Sequence, residues 1–227
     1  HTGDTVWELA CELPAEKAEA PVYRTETRTI EDCDAFAEEF RKIVGAEYNT
    51  ISYYQEAAYY MDQSGDENGT HFLFVFYLDP GYEYTFGLGD NPIWCDADRE
   101  TVEAALSCLP VSIPAYAVFT VEGEGWHSFS VEQHIDGEVM VDGVLRCRYA
   151  EDGTIRELEN NLLSYTYYDT VSIISPEEAY KTLCSGRFYD GGFFESKKPA
   201  NVRVISCEFG YEIDTKGFYQ PVYYFDV

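Results

Sequence analysis

VSIISPEEAYKTL (171–183), VISCEFGYEID (204–214) and GFYQPVYYFDV (217–227) are the stretches that decide the fold. Ser175 is an N-cap, Pro176 takes the first helical position, and Glu178 completes a capping box. Ala179, Tyr180 and Leu183 give this helix its apolar side, and Gly186 stops it. Further on, Ile205, Cys207, Phe209, Tyr211 and Ile213 alternate with Ser206, Glu208, Gly210 and Glu212, the period of a half-buried strand. Thr215-Lys216-Gly217 allows only a tight return, so Phe218–Val227 is expected to close an antiparallel pair. A capped helix followed by a hairpin predicts an α+β fold with the helix lying on an antiparallel sheet.

The same layout occurs upstream. Thr29 and Asp32 form an approximate capping box, Phe36, Phe40, Ile43 and Val44 share one helical face, and Gly45 ends the helix. Ile51–Met61, the apolar run Phe72–Leu78 and its hairpin partner Tyr82–Leu88 follow as strands, with residues 62–70 a turn. A second helix is expected over Asp98–Leu109. Strands are then predicted at Ala115–Val121, Trp126–Ile135, Val144–Ala150 and Thr154–Leu163, with Asp136-Gly137, Asp142-Gly143 and Asp152-Gly153 as turn pairs. PVYRTETRTIEDCDAF and SYTYYDTVSIISPEEAY both read strand, cap, helix. Two similar helix-on-antiparallel-sheet units are therefore expected, at 23–122 and 123–227, behind a tether or N-terminal arm at 1–22.

Composition narrows the function. With 42 acidic against 15 basic residues, the net charge of −27 excludes a general nucleic-acid binder and a basic patch for anionic lipid. No apolar run approaches a membrane span, so direct membrane insertion is not expected. The start at His1 and not at Met is read as that of a processed or trimmed product, from which any signal peptide, lipid anchor or membrane helix has been removed. The 20 Tyr and 14 Phe favour strands, and half of the tyrosines in such runs as Tyr53, Tyr54, Tyr59, Tyr60, Tyr165, Tyr167 and Tyr168 should face solvent or a partner.

No catalytic residue, metal or cofactor is assigned. Among the four histidines, His127 and His134 are expected on opposite faces of one strand, which separates them as metal ligands. Asp62, Ser64 and Asp66 imitate the first ligands of a calcium loop, but Glu67 stands where the loop needs Gly and Leu73 where it needs Glu. There is no G-x-S-x-G, P-loop or G-x-G-x-x-G, and Cys184-Ser185-Gly186 sits at a helix C-terminus, where the dipole disfavours a thiolate. The seven cysteines include no C-x-x-C; they read as buried free thiols or as partly disulfide-bonded, with Cys147 and Cys207 pointing inward from strands.

FSVEQHIDGEVMVDGVLRCRYAEDGTIRELE, VSIISPEEAYKTL and VISCEFGYEID with GFYQPVYYFDV together resemble the extracytoplasmic YycH/YycI-type regulatory proteins, and share part of the logic of PepSY-type domains. The resemblance spans roughly residues 127–227: an Ile-Asp-Gly turn, an Asp-Gly hairpin, an I-S-x-x-E-A helix, a Gly-Tyr strand and a Pro-aromatic closing strand. It implies a non-enzymatic protein tethered at the outer face of a Gram-positive membrane, acting by contact on a sensor kinase. This chain departs in its acidity and cysteine content, so a lipoprotein or secreted relative with a protein or peptide partner is the expectation. The rivals are a secreted hydrolase using carboxylates and a PepSY-like protease inhibitor or chaperone. The expected binding residues are Tyr211, Tyr219, Pro221 and Tyr223, on a closing strand in which Pro221 points to a sheet edge or a bulge, the edge being the docking site.

Overall fold

The computed structural model describes residues 5–62, 70–87, 92–186, 201–214 and 216–227. In chain order the first elements are β1 (Val6–Leu9), β2 (Glu19–Arg24), α1 (Ile30–Val44), β3 (Thr50–Tyr53), β4 (Ala57–Asp62), β5 (His71–Phe76) and β6 (Tyr82–Phe86). Then come α2 (Arg99–Leu106), β7 (Val118–Gly123), β8 (Trp126–Asp136), β9 (Val139–Tyr149) and β10 (Ile155–Ser172). The last are α3 (Pro176–Cys184), β11 (Asn201–Val204), β12 (Ser206–Ile213) and β13 (Phe218–Asp226). The chain is thus of mixed α and β structure and rich in sheet. None of the described helices is long and apolar enough to cross a membrane.

Two compact units divide it: Arg24–Thr166 with 215–217, and residues 1–23, Tyr167–Asp214 and Phe218–Val227. Neither is a continuous half of the chain, unlike the expected 23–122 and 123–227. The segment expected as a tether contributes two strands, β1 and β2. β1 pairs in parallel with β11, Leu9 opposite Val204, across nearly the whole sequence. Local periodicity carries no trace of so distant a partner.

In the larger unit the strands run β3-β4-β5-β6-β10-β9-β8-β7, each neighbouring pair antiparallel. One face carries Phe129, Leu145, Cys147, Leu158, Tyr82, Tyr84, Leu73, Val75 and Tyr60, buried beneath Cys33, Ala37 and Phe40 of α1 and Val102 and Leu106 of α2. α1 begins as expected: Thr29 Oγ1 accepts from the Asp32 N–H, Asp32 accepts from the Thr29 N–H, and Gly45 closes the helix with a φ of 71°. On the other face Arg146 lies between Glu122 (2.8 Å) and Glu159 (3.3 Å), and Arg148 pairs with Glu157 (3.3 Å) and covers the Trp94 ring at 3.8 Å. These pairs are partly exposed, so each contributes under about 1 kcal/mol.

Two expectations fail here for one reason, irregular strands. Asp142-Gly143 is not a turn but lies inside β9: Asp142 Oδ1 accepts the Gln133 N–H at 3.1 Å, and Gly143 sits at a φ of 103°. The accompanying register shift between Val131 and His134 reverses the alternation of β8. His127 pairs with Cys147 and His134 with Val141, so the two histidines share a face instead of opposing. Six residues of β9 still part their partners by about 20 Å, and no group of metal-ligating side chains is found among the described residues. His127 is a core residue; its Nε2 accepts the Ala97 N–H at 2.9 Å, and its ring stacks on Phe119. Of the calcium-like residues, Ser64, Asp66 and Glu67 lie outside the described residues.

In the smaller unit β13 lies between β12 and β2. α3 has the full capping box read from the sequence, Ser175 to Glu178, with Pro176 in its first turn. It packs on the hairpin β12–β13, where Tyr180 meets the Phe225 ring at 6.4 Å and the Tyr223 hydroxyl donates to the Ile174 carbonyl at 3.2 Å.

Candidate functional site

The hairpin β12–β13 holds all four residues singled out from the sequence. Its register sets Tyr211 opposite Pro221, Ile213 opposite Tyr219, Phe209 opposite Tyr223 and Cys207 opposite Phe225. Directly opposed residues of an antiparallel pair share a face, so Tyr211, Tyr219, Pro221 and Tyr223 stand together. That face is the packed one. Tyr211 is 6% exposed, its ring set edge-on to Tyr23 at 5.7 Å and to Phe209 at 5.7 Å. Burial, with Tyr23 adding to it, pushes the Tyr211 phenol up to about 12. The Lys17 ammonium sits 4.1 Å above the Phe209 ring, which in turn meets Tyr223 at 5.6 Å. Tyr219, Pro221 and Tyr223 are half-buried. Tyr211 is therefore a core residue of its unit, and an aromatic face of this kind stabilises the hairpin on which a binding edge can be built.

The strand at the edge is also not the one expected. β13 has a neighbour on each side, whereas β12 pairs with β13 alone among the described residues. Pro221 is accommodated inside the ladder opposite Tyr211. The open side of the hairpin is thus the backbone of Ser206–Ile213.

The opposite face of the hairpin carries two exposed carboxylates, Glu208 and Glu212, on either side of the buried Gly210. Glu208 lies across from Tyr224, Gly210 from Val222, and Glu212 from Gln220. The Tyr224 hydroxyl stands 2.7 Å from both the Tyr211 carbonyl and the Glu212 carboxylate, which holds its ring against the hairpin beside Gly210. Glu208 has no ion pair among the described residues. Apolar residues flank the strand: Ile205 is 59% exposed and Ile213 39%. The edge therefore presents a strand paired along one side, with Ile205 and Ile213 at its ends, the Tyr211 carbonyl held by Tyr224, and carboxylates at 208 and 212. The alternation of Ser206, Glu208, Gly210 and Glu212 with the apolar positions is the sequence signal for these two carboxylates.

Strands β3 and β7 end the ladder of the larger unit. On β3 the Tyr53 hydroxyl donates to Asp34 at 3.0 Å, and on β7 Glu122 is held by Arg146 at 2.8 Å. A surface groove of about 580 Å³ beside α2 presents one carboxylate, Glu103, which already pairs with Arg99 at 2.7 Å. Comparison with protein-family models, curated proteins and solved structures finds no match for this chain.

Proposed function

We propose that this chain is a non-enzymatic, extracytoplasmic protein-binding module that takes up an extended, basic segment of a partner along the open edge of β12. The observation that carries the reading is the single-sided pairing of β12 together with exposed Glu208 and Glu212. An added strand gains affinity from main-chain hydrogen bonds and specificity from alternate side chains. Four residues at about 3.4 Å each separate the two carboxylates by about 14 Å, so the matching segment carries Lys or Arg at positions i and i+4. A net charge of −27 opposes self-pairing of acidic edges and steers a cationic partner inward.

The YycH/YycI-type resemblance of residues 127–227 supports a regulatory role and points to the outer part of a membrane sensor kinase as the class of partner. The recurrence of strand, capping box and helix at Thr29 and at Ser175 supports descent of the fold from two similar helix-on-sheet units. Hydrolysis by paired carboxylates draws no support from the groove beside α2, where Glu103 is bound to Arg99.

Calorimetric titration tests the reading with a synthetic peptide of alternating Thr and Val bearing Lys at i and i+4, against a twin bearing Glu. The Lys peptide should bind at least about tenfold more tightly, and the double charge reversal E208K with E212K should invert that order. Equal affinity of both peptides for both proteins would overturn it.

A further inference from the structure

Three cysteines far apart in sequence come together in the smaller unit. The Ala10 N–H donates to the Val204 carbonyl at 2.8 Å, continuing the parallel pairing of β1 with β11. Cys11 is thereby brought alongside the start of β12, whose second residue is Cys207. Cys207 lies opposite Phe225, on the face covered by Tyr180 of α3. Burial first, and then Cys184 one turn further along the helix and Cys11, raise the Tyr180 phenol, and Cys11 likewise adds to burial in raising the Cys207 thiol. All seven cysteines are free thiols in this structure, with Cys207 buried and Cys11 and Cys184 half-buried.

The geometry points to a disulfide between Cys11 and Cys207, formed by exchange with a low-molecular-weight disulfide such as oxidised glutathione. Cys11 is the more accessible of the two. Its thiolate attacks one sulfur of the donor, an S–S bond forms to that half, and the other half leaves as a thiolate and takes up a proton. Cys207 then loses its proton, attacks the Cys11 sulfur and expels the second half as thiolate. Two protein thiols are oxidised by two electrons and the donor disulfide is reduced to two thiols. The second step is the slow one, because burial holds the Cys207 thiol up at about 11 and leaves little thiolate at neutral pH. The product fastens β1 beside the open edge of β12. It does not depend on that edge binding a partner.

The test is peptide mapping by mass spectrometry of the full chain after equilibration with oxidised glutathione, alkylated in denaturant without reductant. The linked peptide pair should contain Cys11 and Cys207, and the other five cysteines should be alkylated or carry glutathione without being joined to a second protein cysteine. C184S should keep the link, and C207S should stop at the mixed disulfide, with Cys11 carrying one glutathione and no protein cross-link. The same oxidation carried out in urea should scatter the pairing. The inference is overturned if all seven thiols alkylate, if Cys11 is joined to Cys184, if C184S loses the link, or if urea leaves its yield unchanged.

Discussion

Replacing Gly143 by Ala should damage the larger unit far more than a glycine-to-alanine change normally does. Gly143 has a φ of +103°, and a Cβ built on it would stand 2.1 Å from the Asn161 carbonyl oxygen and 3.2 Å from its carbonyl carbon. That is far inside the ~3.5 Å at which non-bonded heavy atoms attract. Both clashing atoms are backbone, so no side-chain rotation relieves them. The left-handed backbone alone costs an alanine about 1–2 kcal/mol. Parting β9 from β10 here, where Gly143 pairs with Leu162, costs roughly two ladder hydrogen bonds at about 1 kcal/mol each. The expected loss is therefore about 3–4 kcal/mol. Gly45 supplies the reference: its φ is +71° with nothing within 4 Å of a Cβ, so G45A should lose only about 1 kcal/mol. Urea unfolding followed by tryptophan fluorescence measures both, since Trp94 and Trp126 lie in this unit. The difference of about 2–3 kcal/mol corresponds to a midpoint gap of about 1 M at a typical slope. Coincident midpoints for G143A and G45A would refute the close approach of β9 and β10.

Glu83 stands directly across from Glu159, and burial first, then that neighbour, raises its carboxyl above the ordinary carboxylate range. A raised folded-state pKa means that the charged form costs stability above it and nothing below the unfolded value. E83Q should therefore gain about 0.2–1 kcal/mol at pH 7 and nothing near pH 4, read from urea midpoints at the two pH values. Equal effects at both would contradict the assignment. Tyr211→Ala should cost about 3–5 kcal/mol, as for other buried aromatics, and lower the melting temperature whether or not a partner is present. A variant that melts like wild type would return Tyr211 to the surface.

What was legible in the sequence follows from the range of the forces involved. The caps at Thr29 and Ser175 are made by residues three apart, and both appear as read. The alternation of β12 is likewise local, and it placed Tyr211 on the side of Cys207 and Phe209. Parity cannot say what covers a face, however; Tyr23, α3 and Lys17 do so here, from distant positions. The same limit hid β1 and β2 and gave the edge to β13, since Pro221 removes a donor without revealing which neighbour the strand has. The His127 and His134 assignment failed on a single inserted irregularity at Gln133, whose φ of 39° no composition rule anticipates. Asp142-Gly143 has the composition of a turn, and only its placement inside β9 shows that the glycine serves a close backbone approach.

Hydrogen–deuterium exchange of the full chain, with and without the Lys-bearing peptide, tests the central claim most directly. If an extended segment adds to the open edge of β12, amides within Ser206–Ile213 become protected at alternate positions, where each N–H faces the incoming strand, while β3 and β7 exchange as before. Protection confined to β3 or β7, or unchanged exchange across 206–213 at saturating peptide, would contradict it.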